Sequence, residues 1–297
     1  RFFVGLAKHP PKFKKARKYK SFTFPQSGYD VQGNRMRIGG TFYKFVKHRA
    51  MKGQIKTLTV KRDSVGRLWL FFSVRENLEV CSATGGETRG FDFGFKDFLT
   101  DNEGIRYDCP EFFRHALKKT RRLSRALSRK VEGSNNYKAA RRELAKYQAH
   151  VANQRLNYHF GLSHILCDEY DTLYFEDLNL EGMKKLWGRK ISDLGFGQFM
   201  EVLSWVALKR GKRVVKIGRW QATTQICSGC GQRLSLSLRD RIVACNCGLI
   251  IGRDHNAAIN IKTVGTSTVY PSDPKTRKHL RTLKGTGSRI DGRSPRL

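Results

Sequence analysis

Hydrophobic and polar residues alternate with a period of two in some stretches of the chain and near 3.6 in others. The switches between these periods outline the elements. Leu68, Leu70, Phe72 and Val74 fall on one face at period two. They predict a strand over 67–75, paired with one over 55–62 through the turn residues Asp63-Ser64-Val65-Gly66. Gly90-Phe91-Asp92-Phe93-Gly94-Phe95 reads as a short apolar strand carrying a single acid. Phe98-Leu99-Thr100 and Ile105-Arg106-Tyr107, separated by Asp101-Asn102-Glu103-Gly104, continue it as an antiparallel meander. The period then lengthens. Phe113, Ala116, Leu117, Thr120, Leu123, Leu127 and Val131 keep helical spacing, as do Tyr137, Ala140, Leu144, Tyr147, Val151 and Tyr158. Gly133-Ser134-Asn135-Asn136 interrupts them, so the pattern predicts an antiparallel helical hairpin. A strand over 172–176, a helix over 198–210, a strand over 213–217 and a short helix from Asp254 to about Val264 follow. Residues 265–297 carry eight Lys or Arg, two Asp and little apolar content, and read as a disordered basic tail.

Strands interleaved with helices define an α/β chain. Its 297 residues fit one large domain or two smaller ones. The longest apolar run, Leu68 to Val74, contains a serine and is far too short to span a bilayer. No signal peptide opens the sequence, and it begins with Arg1 rather than Met, so the natural start is expected upstream. A cytoplasmic chain is expected.

Charge changes the picture most. Fifty-eight Lys and Arg against 25 Asp and Glu leave a formal charge of +33. Self-repulsion on that scale calls for an anionic partner. Phosphate backbones fit best, because each neutralised phosphate also releases condensed counterions. A membrane surface fits less well, since no amphipathic anchor is visible. A purely binding, ribosomal-type protein would satisfy the charge equally. From Arg114 to Arg155 there are thirteen Lys or Arg and two Glu. The outer faces of the predicted hairpin, with Arg121, Arg122, Arg125, Arg141 and Arg142, are the candidate phosphate contacts. The tyrosines on its apolar stripe are expected in the core.

Seven cysteines, odd in number and with four clustered, fit a reducing compartment and a metal site better than a disulfide framework. Cys227-Ser228-Gly229-Cys230 and Cys245-Asn246-Cys247 have fourteen residues between them. Four thiolates on two turns suit a closed, tetrahedral, structural zinc site, which leaves no open position for catalysis. The alternative is free thiols in a basic loop. Cys81, Cys109 and Cys167 have no partners at metal spacing and are expected as small core residues.

In so basic a chain, acids on apolar strands stand out. Asp92 sits among phenylalanines, Glu176 ends Leu173-Tyr174-Phe175, and Asp254 opens a helix beside Arg253. Taken singly, each has a structural explanation: a ladder or turn acid, an arginine partner, and a helix N-cap. Taken together, three carboxylates on successive β, β and α elements can hold two Mg²⁺ about 4 Å apart for phosphodiester hydrolysis. Buried acids that repel phosphate make little sense in a protein that only binds nucleic acid.

These motifs resemble the TnpB family, encoded by insertion sequences and similar to type V CRISPR nucleases. Gly90 to Lys96 resembles its first RuvC motif and Phe175 to Met183 its second. Cys227 to Gly231, continuing to Arg253-Asp254-His255-Asn256-Ala257-Ala258-Ile259-Asn260-Ile261, resembles its zinc ribbon and third motif. Lys12-Phe13-Lys14 to Phe24-Pro25 and the helical hairpin also resemble the family's pattern. The resemblance implies an RNase H-like (RuvC) core over 89–264 with a basic hairpin at 112–166 and a zinc ribbon at 221–252. A partial OB-like wedge domain over 1–88 would precede it, and the tail over 265–297 would follow. It implies Asp92, Glu176 and Asp254 as catalytic, Mg²⁺-holding acids, and Cys227, Cys230, Cys245 and Cys247 as zinc ligands. It also implies a guide RNA and a target DNA as partners, in RNA-guided cleavage beside a short flanking motif. The alternatives are a guided repressor or degenerate relic on the same scaffold, and a strand-transferring transposase. The second knuckle is one residue shorter than the family's Cys-x2-Cys. The family's N-terminal helical segment and first wedge strand are expected to be missing before Arg1.

Overall fold

The computed structural model describes residues 19–76, 86–108, 110–219, 221–237 and 239–269. Cys81, Cys109, most of residues 8–20 and the predicted tail from residue 270 onward lie outside them. The described residues form two compact units, one of 19–76 together with 130–146, the other of 86–129 together with 147–269.

In the first unit, β1 (Ser21–Phe24), β5 (Gln54–Arg62) and β6 (Leu68–Arg75) form an antiparallel sheet. β2 (Tyr29–Gln32), β3 (Arg35–Ile38) and β4 (Thr41–Lys44) form a second three-stranded meander. Met36, Leu58 and Val60 are buried between half-buried Phe24, Tyr29, Phe45, Leu70 and Phe72, so both sheets feed one small core. The β5–β6 turn is where the sequence puts it. Gly66 takes the left-handed conformation there, at φ +92°. The Asp63 carboxylate accepts from the Val65 and Arg67 amides and from the Arg67 and Trp69 side chains. These bonds outweigh the opposing effect of burial and hold Asp63 well below the usual carboxylate range. Of the predicted apolar face, Leu70, Phe72 and Val74 are half-buried. Leu68 is 70% exposed, because it starts the strand beyond the end of that core.

The second unit carries a five-stranded sheet in the order β11-β10-β7-β8-β9. These strands are β7 (Thr88–Phe93), β8 (Asp97–Asp101), β9 (Arg106–Asp108), β10 (Thr172–Glu176) and β11 (Arg213–Ile217). The β7–β8–β9 meander is antiparallel, whereas β10 runs parallel to both β7 and β11. Parallel neighbours require crossovers. The first consists of α1 (Phe112–Ser128) and α2 (Asn135–Glu169); the second consists of α3 (Leu180–Leu194) and α4 (Phe196–Lys209). The predicted hairpin partners meet where Phe112 packs on Tyr158 at 6.2 Å and Lys119 lies over the Tyr147 ring at 4.6 Å. Val131 falls beyond the end of α1 and is exposed, so the α1 stripe stops at Leu127. The start of α1 is capped from a distance, as the Phe113 and Arg114 amides donate to the Asp193 carboxylate at 2.8 and 3.0 Å.

Period two now decides which side each strand residue faces. Phe91 and Phe175 pack with Leu166, Phe199 and Leu203 in a core against α2 and α4. Their neighbours point the other way. Tyr174 and Ile217 pack against Ile261 of α5 (Arg253–Val269), which covers the opposite face. Gly90 is required by this arrangement, because a Cβ there would lie 2.6 Å from the Ala258 carbonyl. Gly265 is required likewise, with Tyr174 occupying the space of its missing side chain. The predicted short helix therefore runs on to Val269, and residues 265–269, expected in the tail, are its last turn. Two short strands, β12 (Ile242–Ala244) and β13 (Ile250–Gly252), form a hairpin that leads directly into α5.

Candidate active site and metal centre

Strand parity brings the three acids together. Asp92 shares the α5 side of β7 with Gly90, and Glu176 shares the α5 side of β10 with Tyr174. Phe91 pairs with Phe175, so Asp92 and Glu176 are neighbours at the ends of adjacent parallel strands. Asp254 lies in the first turn of α5. All three are half-buried. Burial, and then the Asp254 and Glu176 carboxylates, push Asp92 well above the ordinary value, against Arg253 and the Phe93 amide. Burial also raises Glu176, while the Thr223 hydroxyl, donating at 3.2 Å, opposes the shift. Arg253 lies 3.5 Å from Asp254. Asp92 thus senses both other carboxylates, and acids gathered in this way are the oxygen ligands that divalent cations favour.

The acidic residue beside Glu176 behaves differently. Asp177 is paired with Arg219 at 2.6 Å and with Lys216 at 3.9 Å. The Arg219 hydrogen bond lowers its carboxyl. It serves as an ion-pair partner on the rim.

The cysteines converge. The sulfurs of Cys227, Cys230, Cys245 and Cys247 all lie within 4.8 Å of one another, with Cys227–Cys247 at 3.7 Å and Cys230–Cys245 at 3.6 Å. The short second knuckle therefore still presents both of its thiols. Burial opposes ionisation of Cys227, but the Cys230 and Gly229 amides hold its thiol down at about 7. Cys245 goes the other way. The Cys247 amide favours its thiolate, yet burial and the three neighbouring thiols push it up to about 12. Four such thiols ionise together only around a cation, and an all-sulfur set of this size suits zinc. Cys167 is fully buried in the core, as expected for a small apolar residue.

A polar network joins the two sites, and the hydrophobic pattern gave no sign of it. Asn256 accepts from the Ser228 amide at 2.9 Å and donates to the Ile226 carbonyl at 2.7 Å. Asn260 donates to the Thr223 and Ile226 carbonyls, both at 2.7 Å. The available signal was the i, i+4 spacing of two asparagines on the helix that opens with Asp254. On the far side, His255 bonds the Asn102 carbonyl at 3.1 Å, and Asn102 accepts from the Gly90 amide at 2.9 Å. The predicted basic residues Arg121, Arg122, Arg125, Arg141 and Arg142 are all exposed. No helix among the described residues is long and apolar enough to cross a membrane.

Fold and site thus define a mixed α/β protein with an acidic cluster at the strand ends and a four-cysteine centre beside it. Residues 72–186 match the family described as probable transposase, OrfB_IS605, and residues 196–261 match the Cas12f1-like TNB domain. These two matches follow one another in chain order, and with the relatives below they make the chain similar to TnpB/OrfB_IS605 transposases over residues 72–261. A putative RNA-guided DNA endonuclease of Streptomyces pristinaespiralis is 26% identical across 100% of this chain and 77% of its own length. The TnpB-like protein L79 of Acanthamoeba polyphaga mimivirus is 30% identical over 72% of this chain, which spans 44% of that protein. InsQ of Escherichia coli K12, a putative RNA-guided DNA endonuclease, is 26% identical over 74% of this chain and 59% of its own. A chain from a Cas12f1–sgRNA–target DNA complex aligns over 70% of this chain and 45% of its own, with TM-score 0.49 and 17% identity.

Proposed function

We propose that the chain is an RNA-guided DNA endonuclease with a RuvC-type, RNase H-like core over 89–264. In this reading the hairpin over 112–166 and a zinc ribbon over 221–252 are inserted in that core. Residues 1–88 form a wedge-type β domain, and guide RNA and target DNA are the partners. The observation that carries the proposal is the convergence of Asp92, Glu176 and Asp254 on one face of the sheet in a chain of charge +33. Mg²⁺ ions bound there would supply Lewis-acid activation of water and charge for the leaving oxygen. The chain's own residues supply the rest. Asp92 and Glu176, fixed on adjacent strands, and Asp254, fixed on α5, offer oxygens from three rigid directions. Burial first, and then the Asp254 and Glu176 carboxylates, raise the affinity of Asp92 for protons, an effect that a bound cation would offset. Guide pairing reads the sequence, while basic faces grip the duplex through its backbone, which is how a strongly basic chain works without a base-reading helix. The four cysteines hold a structural zinc.

The test is direct. Protein expressed with its flanking DNA is purified, and the RNA that travels with it is sequenced. A plasmid matching that RNA is expected to be cut in Mg²⁺ and to survive in EDTA. A guided complex that binds the match but leaves it intact in Mg²⁺ supports the repressor reading instead.

Replacing Arg121, Arg122 and Arg125 by Gln is expected to weaken nucleic-acid binding about equally for all sequences. It should also lower the slope of log affinity against log salt by up to about 0.9 per lost phosphate contact on duplex DNA. Unchanged affinity and slope would make this face merely solvated.

A further inference from the structure

Thr223 is only 3% exposed, although it is a polar residue on the segment leading into the first cysteine knuckle. Its hydroxyl donates to the Glu176 carboxylate at 3.2 Å. Its carbonyl accepts from Asn260 at 2.7 Å, and its amide donates to the Gln221 carbonyl at 2.8 Å. The residue is therefore fixed at three atoms. Asn260 also holds the Ile226 carbonyl, and Asn256 holds both Ile226 and the amide of Ser228, which lies between two of the cysteines. A continuous run of hydrogen bonds leads from the cysteine centre, through the helix that carries Asp254, to the side chain of Glu176.

From this geometry we infer that Thr223 is a positioning residue for Glu176, set by the cysteine knuckle. The inference rests on the nuclease reading above. A carboxylate that ligates a metal needs its second oxygen oriented, and outer partners of this kind set both ligand direction and metal affinity. Threonine suits the task because its hydroxyl donates while its methyl group fits a buried position. Valine has nearly the same shape and lacks the donor. Serine keeps the donor and lacks the methyl.

The experiment uses the full chain and Mn²⁺ as the probe, with free Mn²⁺ followed by electron paramagnetic resonance in the absence of nucleic acid. Zinc content and melting are measured on the same samples, and Glu176→Gln is the reference. Thr223→Val is expected to weaken Mn²⁺ binding about tenfold, the lower end of what loss of an outer-sphere partner does. Thr223→Ser is expected to restore it to within about threefold of wild type on the same basis. Zinc per chain should be the same in all three proteins. Wild-type Mn²⁺ affinity in Thr223→Val overturns the inference while leaving the nuclease reading intact. So does joint loss of zinc, melting temperature and Mn²⁺ affinity in both variants, which would make Thr223 structural only. If Glu176→Gln leaves Mn²⁺ binding unchanged, the three-carboxylate reading itself fails and this inference falls with it.

Discussion

Asp92→Ala, Glu176→Ala and Asp254→Ala are each expected to lower guided DNA cleavage roughly a thousandfold or more, with guide and target binding nearly unchanged. Each acid reaches the reaction from a different element, so the two others cannot take over its oxygens. Residues acting as one unit show non-additive losses, so a double variant should be about as inactive as a single one. Ca²⁺ should support binding and little cleavage, because its longer, looser coordination fits a site built for Mg²⁺ poorly. Cleavage at the wild-type rate by the Asp254 variant would make Asp254 a helix-end acid only. Stability should move in the opposite direction to activity. Asp92 has a folded-state affinity for protons above the ordinary value, raised first by burial and then by Asp254 and Glu176. The sign follows. The metal-free fold retains that proton longer than the unfolded chain does, so stability falls as pH rises through the raised folded value. Asp92→Asn removes this penalty. Metal-free Asp92→Asn should melt higher than wild type at pH 8 and equal to it near pH 3, and Mg²⁺ should narrow the gap by stabilising wild type alone. A lower melting temperature for Asp92→Asn at pH 8 would contradict the electrostatic account of the site.

Cys230→Ser is expected to reduce bound zinc from about one ion per chain to near zero, because a closed site needs all four ligands. Melting should fall by roughly 5–10 °C, reflecting metal binding that is coupled to folding. The loss should extend beyond the ribbon, since Ser228 and Ile226 are the groups that Asn256 and Asn260 hold against α5. A metal-free protein with unchanged melting would show that the cysteines are only neighbouring thiols.

Where one physical signal dominated, the sequence was readable. Short apolar runs bounded by turn residues placed β7, β8, β10 and β11, and with them the two strand acids. The four cysteines were legible from spacing alone. What escaped was set by competing signals. Helix α3 has glycines at 182 and 188 and a non-helical conformation at Trp187, so its apolar stripe breaks and no clean 3.6 period remains. Its start is nevertheless capped, with Asn179 accepting from the Gly182 amide. The end of α5 looked like tail because Gly265 opens a run of small polar residues. Tertiary packing against Tyr174 overrides that weak propensity. The small β core followed from alternation, but alternation does not say how strands group, and they form two three-stranded sheets. Arg89 was also hidden. It is 5% exposed, packed on Tyr170 and paired with buried Asp101 and exposed Glu103, an ionic network that only the three-dimensional structure reveals.

If the three acids act together, the packing of α5 across β7 also sets when the molecule can act. Asp92 and Asp254 are more than 150 residues apart in the chain. At 5–20 residues per second, roughly 10–30 s of synthesis separate the appearance of the first acid from that of the last. During that interval β7 and β10 can pair, but the helix that completes the face does not yet exist. On the three-carboxylate reading, a half-made chain on the ribosome, however basic, lacks its third acid, and cutting would begin only after nearly the whole described chain has emerged.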